Sequence, residues 1–172
     1  MRLPGLATDA DRLANRAHEE YMRAEDLTEY VNKDMVAGKQ QRTAAKARAE
    51  EVVTTAAAHA QDPAYSVALM TAHHVLATAA LRDGDRERAL RHLRESVNVP
   101  TSEQLQYAPP MSWIRPVNRL VKEGERERVV EFLEAFARLT ISDRERLLKD
   151  AQAIREGRMP VSYQHMVARE GR

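Results

Sequence analysis

The sequence predicts an all-α protein, and three observations support that prediction. Its 172 residues include only six glycines, and runs of valine, isoleucine or phenylalanine are scarce, which leaves little material for strands. Alanine, leucine, arginine and glutamate are abundant, and these residues are strong helix formers. Apolar residues recur at spacings of three and four, which is the period of an amphipathic helix. We therefore expect about seven helices.

Two long helices open the chain. The first is predicted over residues 9–35, with Thr8 as its N-cap and Gly38 as the residue that stops it. The second covers residues 41–60 and ends at Asp62-Pro63, because a residue before proline is displaced from the α region. Its inner face is mostly alanine, which buries little area per residue. This helix therefore needs partners.

A helical hairpin follows. Residues 64–82 form the most apolar predicted helix, which we expect at the centre of the core. A turn at residues 83–85 leads into a helix over residues 86–96. Residues 97–110 then break regular structure with three prolines, although Thr101 and Gln104 fit a capping box for one short helical turn. Loops of this length are often functional.

A second hairpin repeats the first. It comprises residues 112–122, a turn at residues 123–125, and residues 126–139, with the turn glycines of the two hairpins 40 residues apart. A capping box at Ser142 and Glu145 then opens a final helix, which stops at Gly157.

Helix pairs that recur at this period are typical of α-solenoid proteins. We expect one domain over residues 1–157, built from an N-terminal helical pair (1–62), two stacked hairpins (63–140) and a terminal helix (141–157). Residues 158–172 are predicted to be a loosely ordered tail. The alternative is a seven-helix globule without solenoid stacking.

The middle of the chain resembles a group of small bacterial tetratricopeptide-like (TPR-like) proteins. The resemblance rests on these segments: Leu81-Arg82-Asp83-Gly84-Asp85, Ala89, His92-Leu93, Pro100, Ser102, Gln104-Leu105, Pro110-Met111, Leu120, Lys122-Glu123-Gly124-Glu125-Arg126, Val129-Val130 and Phe132. Glu103 replaces the usual proline of the loop, and of the histidines only His92 matches. The resemblance implies a TPR-like fold and supplies no activity.

Three histidines form one candidate site. His73 and His74 lie about 100° apart on one helix, so only one of them faces a given site directly. His92, on the partner helix, is placed to approach one of them, and Glu95 is one turn along. This pattern favours a two-histidine metal or acid–base site. The alternative is that one histidine packs in the hairpin and the other is solvated. The usual helical metal motifs are absent, so we expect no metal or cofactor.

A candidate binding surface flanks the proline-rich loop. Tyr107, Trp113 and Arg115 lie there, and tryptophan and arginine are favoured anchors at interfaces. The alternative for Trp113 is that it belongs to the core of the second hairpin. Ser112 is interpreted as an N-cap rather than a nucleophile, because no Gly-x-Ser-x-Gly elbow surrounds it.

Composition excludes several functional classes. The formal net charge of +1 gives no general attraction to nucleic acid or to an anionic membrane. The absence of cysteine excludes disulfides and thiolate chemistry, and it suits the cytoplasm. We also expect no signal peptide and no segment apolar enough to span a membrane.

The leading hypothesis is a cytoplasmic, non-catalytic TPR-like binding module for a protein or peptide, including a second copy of itself. In that hypothesis Tyr107 and Trp113 provide contact area and Arg115 pairs with an acidic group. The alternative is a small helical enzyme, such as a lyase, isomerase or hydrolase of a tailoring pathway. Its pocket would hold His73 or His74, His92 and Tyr107. An enzyme requires these side chains to converge in one enclosed pocket.

Overall fold

The computed structural model describes residues 8–30, 35–59 and 61–160. Over these ranges the chain forms eight α-helices and two short 3₁₀ segments, with no strand. The predicted all-α class is therefore confirmed. The predicted loosely ordered tail, residues 158–172, lies outside the described residues except for residues 158–160, of which Pro160 is buried.

Helices α1 (Asp9–Tyr30) and α2 (Met35–Ala56) are long, and a 3₁₀ segment extends α2 to His59. Thr8 caps α1 as predicted, because its hydroxyl accepts a hydrogen bond from the Asp11 N–H at 2.9 Å. The prediction that Gly38 stops the first helix is wrong, since Gly38 lies inside α2 and is buried. A helical glycine costs only about 1 kcal/mol relative to alanine, so the surrounding helix outweighs it.

Helix α3 (Ser66–Arg82) is the centre of the molecule. All of its residues are buried except His73 and Arg82. One face packs on an apolar cluster with α1 and α2, and the opposite face packs on a second cluster with the helices that follow. The predicted central position is therefore confirmed.

The apolar character of α3 corrects one expectation. Together with the preceding turn it forms a segment, Pro63–Arg82, that is long and apolar enough to cross a membrane by length and composition. Its most apolar window has a mean hydropathy of 1.3, and 78% of that window is buried inside the protein. A helix surrounded by other helices on two faces has this composition because nearly every position is core.

The hairpin turn recurs along the chain. Helix α4 (Arg86–Ser96) follows α3 through Gly84, and α7 (Arg126–Leu139) follows α6 (Ile114–Lys122) through Gly124. Both glycines have positive φ, 78° and 95°, which is the left-handed conformation that favours glycine. Equivalent backbone hydrogen bonds close the two turns, at 2.9 Å from Asp85 N to Ala80 O and at 3.0 Å from Glu125 N to Leu120 O.

The long loop contains an extra helix. Helix α5 (Glu103–Tyr107) lies within it, so the described ranges hold eight helices where about seven were predicted. Ser102, not Thr101, caps α5, because its hydroxyl accepts from the Leu105 N–H at 3.2 Å. The last helix, α8 (Arg144–Arg155), begins without the predicted capping box, since its N-cap Asp143 makes no side-chain capping bond. It ends before Gly157 as predicted.

Candidate functional site

His73 and His92 meet between α3 and α4. Their Nδ1 atoms are 3.2 Å apart, and their rings are tilted by 38°. This contact confirms that His92 approaches one of the paired histidines. Because a neutral imidazole has one N–H, one ring donates the hydrogen bond and the other accepts it.

The His73–His92 pair is uncharged at neutral pH. Burial lowers the pKa of His73 to about 4. Burial also lowers the pKa of His92 to about 4, with further lowering by His73, Arg91 and Arg88 and an opposing effect of Glu95. Both ring systems therefore keep a lone pair at pH 7.

His74 points away from that pair into the core. It is fully buried, with Nδ1 2.7 Å from the Ser112 hydroxyl and Nε2 3.1 Å from the Ser96 hydroxyl. The Ser96 hydroxyl donates its hydrogen to the Leu93 carbonyl at 2.7 Å, so it accepts from His74 Nε2. The remaining ring nitrogen, Nδ1, then carries the lone pair and accepts from Ser112. The network is fully satisfied and joins α3, α4 and the residues before α6.

The contact between Ser112 and His74 has the form of a nucleophile and its base. Burial lowers the pKa of His74 well below its ordinary value, and repulsion from protonated His18 and His73 adds to this effect. Such a base is a weak proton acceptor at neutral pH, and Ser112 is itself buried. The contact ties α3 to the residues before α6. It also replaces the predicted N-cap role of Ser112, because α6 begins without a side-chain capping bond.

His18 and Ser96 are two site residues that the sequence analysis missed. His18 lies on α1, where burial lowers its pKa, Glu19 opposes that shift and Arg115 adds to it. The sequence held part of the signal for His18, because this residue is next to Ala17, which belongs to the buried stripe of α1. No sequence pattern links Ser96 to His74, because 22 residues and a turn separate them.

Trp113 belongs to the core rather than to the surface. It is fully buried, and its ring lies 5.9 Å from the Phe136 ring in an edge-on arrangement. The guanidinium of Arg146 covers it at 5.6 Å from the ring centroid. This corrects the expectation that Trp113 anchors a partner, because a large aromatic ring next to α7 is more stable buried among other rings. Arg115 is half-buried on the first turn of α6.

Tyr107 is exposed, and so are two other large apolar side chains, Met111 and Ile141. The exposed fractions are 61% for Tyr107, 47% for Met111 and 52% for Ile141. A backbone hydrogen bond joins the segments of Tyr107 and Ile141, because the Gln106 carbonyl accepts from the N–H of Ile141 at 2.8 Å. Met111 makes a side-chain contact with α8, where its Sδ lies 3.6 Å from Arg146. We refer to Tyr107, Met111 and Ile141 as the Tyr107 patch. The loop that carries it is thus held against the α7–α8 connection.

A second surface feature is a groove between α4 and α7, with a volume of about 250 Å³. Its apolar lining includes the buried side chains Leu90, Leu93 and Phe132. Arg94 and Glu131 contribute charge at this site. None of the histidines that the structure describes lines this groove, which we call the α4–α7 groove.

The histidines and Tyr107 do not converge in the way that the enzyme hypothesis requires. His73 and His92 face one another, His74 bonds in the opposite direction, and the Tyr107 side chain is in solvent. Within the described ranges, no group of three or more histidine, aspartate or glutamate side chains is arranged to hold a metal ion.

No known protein-family model, curated protein or solved structure matches this chain. The resemblance to small bacterial TPR-like proteins therefore stays a prediction.

Proposed function

We propose that the protein is a non-catalytic, TPR-like binding module that engages a protein partner through the Tyr107 patch. The repeated turns after α3 and α6 support the TPR-like part of the proposal, since equivalent turns are what stacked repeats use. The α4–α7 groove is consistent with two successive hairpins lying side by side.

The single observation that carries the proposal is the grouping of exposed apolar side chains on a rigid base. Single exposed apolar residues are common, whereas several exposed apolar residues on neighbouring segments favour an interaction surface. The patch lies on backbone that is tied down, because Gln106 O also accepts from Ser142 N at 3.0 Å and from the Thr140 hydroxyl at 3.2 Å. A partner therefore gains apolar contact without ordering a loop.

The energetic scale fits a moderate, reversible interaction. Fully burying a large apolar side chain stabilises by about 1.5–3 kcal/mol, and these three side chains are about half exposed. Complete coverage of the patch then contributes roughly 3–4 kcal/mol, before polar contacts at the rim and the cost of association. The partner must present a complementary apolar surface, and a second copy of the chain satisfies that condition.

The test compares the parent protein with a patch variant, Tyr107→Ser/Met111→Ser/Ile141→Ser. Leu148→Ser is the matched control, because Leu148 is 46% exposed on α8 but lies outside the patch. Each protein is used to capture partners from extract of its native cells, and sedimentation velocity measures self-association. We expect the patch variant to lose the partner, or the dimer, that the parent and the control retain.

Two results would count against the proposal. If the patch variant retains the partner while Arg94→Glu in the α4–α7 groove loses it, the contact surface is the groove. If the parent retains a small molecule and no protein, and sediments as a monomer, the enzyme hypothesis replaces the binding module.

A further inference from the structure

The Nδ1–Nδ1 separation of the His73–His92 pair fits a hydrogen bond and also fits two ligands of one metal ion. Two rings from different helices bring the same nitrogen type, Nδ1, to within 3.2 Å of one another. In a tetrahedral zinc site with Zn–N distances of about 2.0–2.1 Å, two histidine nitrogens lie about 3.3 Å apart. We propose that His73 and His92 form a two-histidine site for a borderline divalent transition metal such as Zn²⁺, Ni²⁺ or Cu²⁺.

The helices hold the two rings in place before a metal arrives. His73 is in the middle of α3, whose neighbours along the helix are buried, and His92 is in the middle of α4. The turn at Gly84 fixes the two helices relative to one another. Neither histidine is fully buried, so each side chain is partly accessible to solvent.

The nearby charges allow a cation. Arg88 and Arg91 act on His92 from α4, but Arg88 is paired with Asp83 at 3.1 Å and with Asp85 at 3.4 Å. Glu95 is one turn beyond His92, favours positive charge there, and makes no ion pair within the described part of the chain. Glu95 is thus a carboxylate that a change of rotamer can bring toward the metal.

The chain supplies two ligands in the present arrangement, so water or Glu95 completes the coordination. A site of this kind binds more weakly than a site with three or four protein ligands. Imidazole ligands favour copper, nickel and zinc over magnesium and calcium, which prefer oxygen. On binding, the ring that donates its Nδ1 hydrogen shifts that proton to Nε2. Both Nδ1 lone pairs then face the metal while both rings stay neutral.

The experiment is calorimetric titration of the full chain with Zn²⁺, Ni²⁺ or Mg²⁺ alone. We expect one Zn²⁺ or Ni²⁺ per chain, no response to Mg²⁺, and binding at least about 10–100-fold weaker in His73→Gln and in His92→Gln. His59→Gln is the matched control, because His59 is an exposed histidine that stacks on Tyr65 with ring centroids 4.5 Å apart. Its affinity should equal that of the parent.

Far-UV circular dichroism establishes that each variant is folded. Imidazole nitrogen chemical shifts distinguish metal ligation from a folding defect, since ligation changes the Nδ1 shifts of His73 and His92 selectively. The proposal is overturned if the parent binds neither Zn²⁺ nor Ni²⁺. It is equally overturned if His92→Gln binds as tightly as the parent, or if the Nδ1 shifts of this pair are unchanged by metal.

Discussion

The two apolar clusters on either side of α3 differ in what they are made of. The N-terminal cluster, between α1, α2 and one face of α3, is dominated by alanine, with Tyr21 as its largest fully buried side chain. The C-terminal cluster includes Trp113, Phe132 and Phe136 together with several leucines. An aromatic side chain buries about 150–250 Å², far more than an alanine methyl group. The same central helix therefore supports one weak and one strong core.

The two hairpins differ in a second way. They share the same turn, but α3 has 17 residues and α6 has nine. Helix α4 packs mainly on α3, whereas α7 packs mainly on α8. Local sequence thus reproduces the turn, while helix length and apolar area determine which neighbour each helix packs against.

The largest expected difference between the two clusters is in the free energy of unfolding that is lost when a core side chain is truncated. We expect Phe136→Ala in the C-terminal cluster to lower the free energy of unfolding by about 3–5 kcal/mol, because it leaves a large cavity. Val52→Ala in the N-terminal cluster removes two methyl groups and should cost about 1–2 kcal/mol. Urea denaturation measures both. An equal or larger effect of Val52→Ala would contradict the difference between the clusters.

Acid should weaken the junction of α3 with α4. The pKa values of His73 and His92 are about 4 in the folded protein, against 6.5 for an ordinary histidine. Between these two pH values the unfolded chain therefore binds more protons than the folded protein. Stability is therefore complete above about pH 6.5 and is lost as the pH falls toward 4, by roughly 2–3 kcal/mol after solvent screening. Urea denaturation with a chelator present measures this loss. His73→Gln/His92→Gln should flatten the profile, and an unchanged profile would refute the assignment.

The buried hydrogen-bond network should respond to loss of one hydroxyl. Ser112→Ala leaves the Nδ1 acceptor of fully buried His74 without its partner, which should cost about 1–3 kcal/mol. Thr54→Ala on α2 is the control, because its hydroxyl bonds an exposed backbone carbonyl and should change stability by less than about 0.5 kcal/mol. Thermal unfolding compares them. A loss no greater than that of the control would mean that water replaces the Ser112 hydroxyl.

Substitution of the turn glycines should lower stability least, and by the same amount in both hairpins. A Cβ at Gly84 or Gly124 meets nothing within 4 Å, so only the positive φ resists substitution. We expect Gly84→Ala and Gly124→Ala each to cost about 1–2 kcal/mol. Denaturation curves that differ by more than about 0.5 kcal/mol would show that the two turns are not energetically equivalent.

The predictions from sequence were most accurate where local signals agree. The ranges of α4 and α7 match those predicted, because a turn glycine precedes each helix and an apolar stripe runs along it. Predictions from a single residue failed at Gly38 and at Ser142. A lone glycine or capping residue contributes about 1 kcal/mol, which a long helix or a competing bond outweighs.

The candidate sites also divide into features that local sequence predicts and features that depend on tertiary packing. Sequence alone established that adjacent His73 and His74 face different directions and that His92 is within reach, since helical geometry relates residues on one helix and across one short turn. Sequence could not establish that His74 bonds Ser112, or that Trp113 is buried while Tyr107 is exposed. Those outcomes depend on how α3, α6 and α7 fill the same volume. Close packing among distant helices selects one arrangement that no local pattern encodes.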